Sequence, residues 1–158
     1  MKLNEKYRTF SYGPPASAVD MDRFVERYEN VPPGYLAIVR EVTGLVLLWQ
    51  HRSQLRLWGP DEAIGMDDAY GVSANIPGAV PIGDNGGGEL IVHGEGTDGL
   101  ALYLVETGSL FLDEDAPKIA PDLEALLEHG EGAEIVCRSD PIDPATLGPP
   151  IFYEKDYN

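Results

Sequence analysis

Val80-Pro81-Ile82-Gly83-Asp84-Asn85-Gly86-Gly87-Gly88-Glu89 is the stretch on which the fold turns. A glycine-rich loop behind a strand invites a phosphate-binding reading. Three features oppose it. No Lys-Ser/Thr pair follows the glycines, the next segment reads as a strand rather than a helix, and the charged residues Asp84 and Glu89 are negative. Asp84, Asn85 and Glu89 are oxygen donors of the kind calcium takes, but the alternating acids of a calcium-binding loop are absent. Glycines supply positive φ and room for close backbone approach, and Asp-Asn suits tight turns. The stretch therefore reads as a structural turn, and neither a metal nor a cofactor is expected.

Outward from that turn the chain reads as a sheet. Ala79 to Ile82 is a brief extended piece whose proline places it at a sheet edge or a strand end. Glu89 to His93 and Leu100 to Val105 flank Gly94-Glu95-Gly96-Thr97-Asp98-Gly99 and form a hairpin with a longer loop, and Ser109 to Leu112 adds a short strand. Upstream, Leu45-Val46-Leu47-Leu48-Trp49 is a continuous apolar run, expected as a strand buried on both faces. After the polar break His51-Arg52-Ser53-Gln54, Leu55-Arg56-Leu57-Trp58 is its antiparallel partner, and Gly59-Pro60-Asp61-Glu62 turns into a short helix through about Asp68.

Helices flank this sheet. Met21, Phe24, Val25 and Tyr28 form an apolar helical stripe behind an N-cap at Ser17, with Asp20 and Asp22 near the positive end of the dipole. Asn30-Val31-Pro32-Pro33 breaks that helix, and Pro33 opens a second with Leu36, Val39 and Val42 inward and Gly44 as a left-handed C-cap. Pro121-Asp122-Leu123-Glu124 starts a late helix with Leu123, Leu126 and Leu127 inward, His129 near its negative end and Gly130 stopping it. Glu134 to Cys137 reads as a last strand. The tail from Asp140 holds four prolines and then Ile151, Phe152 and Tyr153, an irregular strap whose aromatics dock on the body. The expectation is a single α+β domain over 1–158, with its core over about 17–130 and a proline-rich strap over 138–158. Its parts are two N-terminal helices, a central five- to six-stranded sheet, largely antiparallel or mixed, and one late helix.

The 158 residues carry a net charge of −16, unevenly placed. Residues 1–58 hold eight basic and six acidic side chains; residues 59–158 hold three basic and 21 acidic. Such a surface repels phosphate, which speaks against nucleic acid or an anionic membrane, and it steers a basic partner instead. The longest apolar run, Leu100 to Val105, is six residues against the ~20 of a membrane-spanning helix. The first fifteen residues lack the apolar segment of a secretory signal, and the single Cys137 excludes an intrachain disulfide, so a cytoplasmic location is expected.

No arrangement of residues points to an enzyme. His51, His93 and His129 have no paired-ligand spacing, no Gly-x-Ser-x-Gly elbow occurs, and Cys137 in its apolar stretch reads as a small core side chain. Trp49 and Trp58 each end an inferred strand, where an aromatic packs in the core or, exposed, anchors a partner. Asp61-Glu62, Asp67-Asp68 and Asp113-Glu114-Asp115 are the acidic clusters available to meet a basic surface.

The order of these motifs resembles the SUKH superfamily, whose founding members include a yeast cell-wall-assembly regulator. The resemblance runs from about Ser17 to His129. Val31-Pro32-Pro33-Gly34-Tyr35 stands where the family has a Leu-Pro-x-x-Tyr helix start. Pro81, Gly83, Asp84, Gly86, Gly87, Gly88 and Glu89 match its Gly-Asp-x-Gly-Gly-Gly-Asp/Glu turn, and Pro121 to Leu127 its late helix. The resemblance implies an α+β fold without a catalytic centre, and bacterial members that neutralise a cognate toxin, often a nuclease. On that basis the chain is expected to be an immunity protein that occludes a basic toxin domain through Asp61, Glu62, Asp67, Asp68, Asp113, Glu114 and Asp115, with Trp58 as an anchor. The alternative it implies is a non-enzymatic regulatory or scaffold protein with an endogenous protein partner.

Overall fold

The computed structural model describes residues 2–154. β1 (Tyr7–Gly13) comes first, followed by α1 (Ala18–Arg27), α2 (Tyr35–Val39), β2 (Thr43–Trp49), β3 (Arg52–Leu57), α3 (Pro60–Tyr70) and α4 (Val72–Asn75). The chain continues through β4 (Val80–Asp84), β5 (Glu89–Gly96), β6 (Gly99–Glu106), β7 (Lys118–Ala120), α5 (Leu123–Leu127) and α6 (Ala133–Val136). A 3-10 turn (Pro144–Thr146) and β8 (Ile151–Phe152) end the described chain. All the strands join one sheet in the order β7-β6-β5-β4-β3-β2-β1-β8. Neighbours are antiparallel except β1 and β8, which run parallel, so the sheet is mixed. The fold is α+β as expected, with eight strands among the described residues rather than five or six.

Where the apolar pattern is strong, expectation and structure agree. Every residue of β2 is buried. The Ser17 hydroxyl accepts from the Asp20 N–H and caps α1, which turns Phe24 inward, with Tyr28 buried at its C-cap, but leaves Val25 half exposed. β2 and β3 meet at a two-residue turn, Gln50 and His51, both at positive φ. Positive φ at both positions matches the strands' right-handed twist, so β3 already begins at Arg52. β5 and β6 pair down to Gly96 and Gly99, leaving Thr97 and Asp98 as the connection where a longer loop was expected.

Several expectations are corrected. Two helices do not begin the fold; β1 precedes them. Gly34, not Pro33, stands immediately before α2, and Gly44 takes its positive φ of 56° inside β2 rather than at a helix end. β4 is internal despite Pro81. The β3–β4 ladder registers only Arg56 with Asp84 and Leu57 with Gly83, and a register shift follows Pro81 on the β5 side, so the ladder tolerates its missing N–H. Ser109 to Leu112 forms no strand; it makes only the isolated Glu106–Ser109 bridge, and the sheet gains β7 instead. Glu134 to Cys137 is not a strand but α6, entered from Gly132 at positive φ. The described part of the strap is not wholly irregular: within it β8 pairs with Ser11 and Tyr12. Phe152 packs on Tyr12 with ring centroids 5.3 Å apart, yet Ile151, Phe152 and Tyr153 stay 42–50% exposed.

The α5–α6 segment packs against β7 and β3 and also reaches β1 and β2. The Tyr7 hydroxyl donates to the Leu126 carbonyl at 2.7 Å. Gly130, at a φ of 72°, lies so close to Trp49 that a Cβ there would collide with the indole. Cys137 is buried as expected, and burial pushes its thiol up to about 12. None of the described helices is long and apolar enough to cross a membrane.

Candidate functional site

The glycine-rich turn is held by its own side chains. Asp84 Oδ1 accepts from the Gly86 N–H at 2.7 Å, and Asn85 Oδ1 accepts from the N–H groups of Gly87 at 2.9 Å and Glu89 at 3.3 Å. The second Asp84 oxygen accepts from Trp58 Nε1 at 2.7 Å, so the turn is tied across the sheet to β3. Asn85 Nδ2 donates to Glu89 Oε1, which Arg138 also contacts. Every acid in the turn is thus engaged in building it. Among the described residues no group of three or more His, Cys, Asp or Glu side chains is placed to hold a metal ion.

Trp58 does not serve as an exposed anchor. It is fully buried, and its carbonyl accepts from the Tyr35 hydroxyl at 2.7 Å. Packing claims the indole and Asp84 claims its N–H.

The four acids of α3 divide by helix geometry. Successive residues turn by about 100°, so adjacent acids cannot share one face. Glu62 is buried and accepts from Arg56 Nη2 at 2.9 and 3.1 Å. Asp67 is buried too. It accepts from the Tyr28 hydroxyl at 2.6 Å, the Ser73 N–H at 2.8 Å, the Ser73 hydroxyl at 2.7 Å and Arg27 at 3.3 Å. Burial alone would raise the Asp67 pKa, but these donors outweigh it and hold the carboxyl below its usual value. Asp61 and Asp68 remain at the surface, bridged to Arg23 at 3.2 Å and to Arg27 at 2.6 Å. All four α3 acids therefore already have an arginine beside them.

Asp113, Glu114 and Asp115 stand apart from α3. They are exposed on the loop between β6 and β7, where the Asp115 N–H donates to Asp113 Oδ1 at 3.0 Å. Of the expected partner-facing residues, Asp61 and Asp68 share one surface with their arginines, these three lie on another, and Glu62, Asp67 and Trp58 are interior.

Sequence reasoning weighed His93 only as a metal ligand and as a strand end, and its burial was not anticipated. The histidine sits in β5 between Val80 and Leu102, and its Nδ1 has no hydrogen-bond partner. Burial lowers its pKa from 6.5, partly opposed by the charge of Asp122. The unfolded chain therefore takes up this proton first as pH falls. The His93 contribution to stability is complete above about pH 6.5 and declines below it. Melting temperatures measured from pH 8 down to pH 5 are expected to fall below that point. His93→Leu is expected to flatten this part of the curve, and an unchanged slope in the variant would assign the acid sensitivity elsewhere.

Compared with models of known protein families, the chain matches none, and no curated protein matches it.

Proposed function

We propose that this chain is a SUKH-type immunity protein, acting without catalysis, that neutralises a basic toxin domain by stoichiometric occlusion in the cytosol. The observation that carries this reading is the uneven charge: 21 acidic against three basic side chains after residue 58, in a segment that also holds the glycine turn resembling the SUKH pattern. A nuclease is the toxin class that fits best, because its active site is built to hold phosphate and a dense carboxylate surface mimics that polyanion. Electrostatic steering speeds such an encounter, and charge pairs buried on docking slow the release.

The test is co-expression with a toxin encoded beside this gene. Protection of the host and a one-to-one complex that weakens as salt rises are the expected results. Growth arrest with no complex would overturn the reading. A complex indifferent to salt would remove its electrostatic part alone.

A further inference from the structure

A groove of about 300 Å³ opens where β7 stops and β6 runs on, between Leu104–Glu106 and the loop over 109–117. β7 pairs only with Leu102 and Tyr103, and the Pro117 carbonyl accepts the Leu104 N–H at 3.0 Å. Beyond that bond the loop folds on itself, the Ala116 N–H donating to the Asp113 carbonyl at 3.1 Å, and the groove is left between loop and strand.

Its composition is amphipathic. Leu104, Val105 and Ala116 supply a buried apolar floor, and Phe111 on the wall is 61% exposed. Glu106, Asp113 and Asp115 form the rim, and no lysine or arginine lines the groove. Glu89 at one end is engaged by Arg138 and Asn85. Among the described residues no cation pairs with Glu106, Asp113 or Asp115, whereas each acid of α3 has its arginine. The uncompensated negative charge of this face therefore lies beside its most accessible aromatic ring.

We propose that this groove is the partner-binding surface, and that it takes an arginine or lysine side chain projected from a basic protein. The aliphatic stem of such a residue would lie along Phe111 and the apolar floor, and its cationic head among the three rim carboxylates. The proposal rests on the reading that the partner is a basic protein, and it moves the contact from α3 and Trp58 to the 106–117 region.

The test uses the whole chain, labelled with ¹⁵N, and the peptide acetyl-Gly-Arg-Leu-Arg-Gly-amide at low salt. Saturable amide shifts confined to residues 104–106 and 109–116 are expected, with no shifts from the matching glutamate peptide. The combined variant E106Q/D113N/D115N, whose side-chain amide at position 113 still accepts the turn hydrogen bond, is expected to bind about ten-fold more weakly. Phe111→Ala is expected to lose about five-fold, and D61N/D68N less than about two-fold. Thermal melts of each variant separate lost binding from lost folding. No binding by the wild type, or shifts centred on α3, would overturn the groove. A neighbouring toxin bound equally well by wild type and E106Q/D113N/D115N would also overturn it and leave the immunity reading standing. Groove binding of the peptide without protection from any toxin would do the reverse.

Discussion

Replacing Gly83 by alanine is expected to destabilise the fold by about 3 kcal/mol or more, the upper end of core overpacking. A Cβ at this position would collide with the Arg56 carbonyl oxygen and lie 3.2 Å from its carbon. The obstacle is backbone, so no rotamer change relieves it. Gly83 also forms half of the β3–β4 ladder, through its register with Leu57. Moving β4 away would stretch the neighbouring Trp58–Asp84 bond and loosen the glycine-rich turn behind it. Gly88 provides the control, since its φ of 85° disfavours a side chain but a Cβ there meets nothing within 4 Å. Gly88→Ala should cost only about 1–2 kcal/mol, the strain of a left-handed residue. Urea denaturation of the two variants beside the wild type measures the difference. A loss at Gly83 no larger than that at Gly88 would show that β4 shifts away from the Arg56 carbonyl at little cost.

Asp67→Ala is expected to cost about 3–5 kcal/mol, because removing one member of a buried charged network leaves its partners unpaired. The carboxylate, on α3, joins α1, through Arg27 and Tyr28, to Ser73 at the start of α4, so its loss frees four donors on two neighbouring helices. The pH dependence gives a second readout. The pKa of Asp67 is lowered on folding, so its stabilisation is present above the ordinary carboxylate value of 3.8 and is lost as pH falls below it. A wild-type curve that drops steeply in that acid range, beside a flatter one for Asp67→Ala, is the expected pair. Parallel curves would mean that the network takes its strength from something other than the charge. His93 acts at higher pH, near 6.5, so the two contributions can be measured separately.

How much of this was legible before the structure depended on how strongly each segment is patterned. β2 declares itself by five apolar residues in a row, and α1 by its stripe and its serine cap. β1 hides, because its buried positions include Ser11 and Gly13 while its one phenylalanine, Phe10, faces outward. Residues 134–137 hold too few positions to distinguish a period of 2 from one of 3.6, and Gly132 upstream decided for a helix. β7 and β8, with three and two residues, exist through their neighbours rather than through any pattern of their own. The acidic clusters were visible as clusters. Which of their members face water was not, since one step along α3 separates exposed Asp61 from buried Glu62, and exposed Asp68 from buried Asp67. The arginines that neutralise them lie 38 to 41 positions away in sequence for three of the four contacts, beyond the reach of local reasoning.

The ends of the sheet constrain how any partner can be met. One is closed by the three residues of β7, which include Lys118, and the other by the two residues of β8, which follow directly on Pro149 and Pro150. Where β8 falls short of β1, the Arg8 guanidinium donates to the carbonyls of Leu147 and Gly148 and keeps the strap alongside. Short terminal strands, a lysine and adjacent prolines are the devices by which proteins deny a foreign strand a template. Among the described residues the two terminal strands themselves offer only three and two residues of ladder, while β6 and β1 run on past the residues they pair. Backbone pairing with a companion strand is thereby disfavoured at β7 and β8 themselves. What remains for a partner to read there is side-chain shape and charge, and an interface of that kind can change its specificity by substitution while the ladder beneath it stays the same.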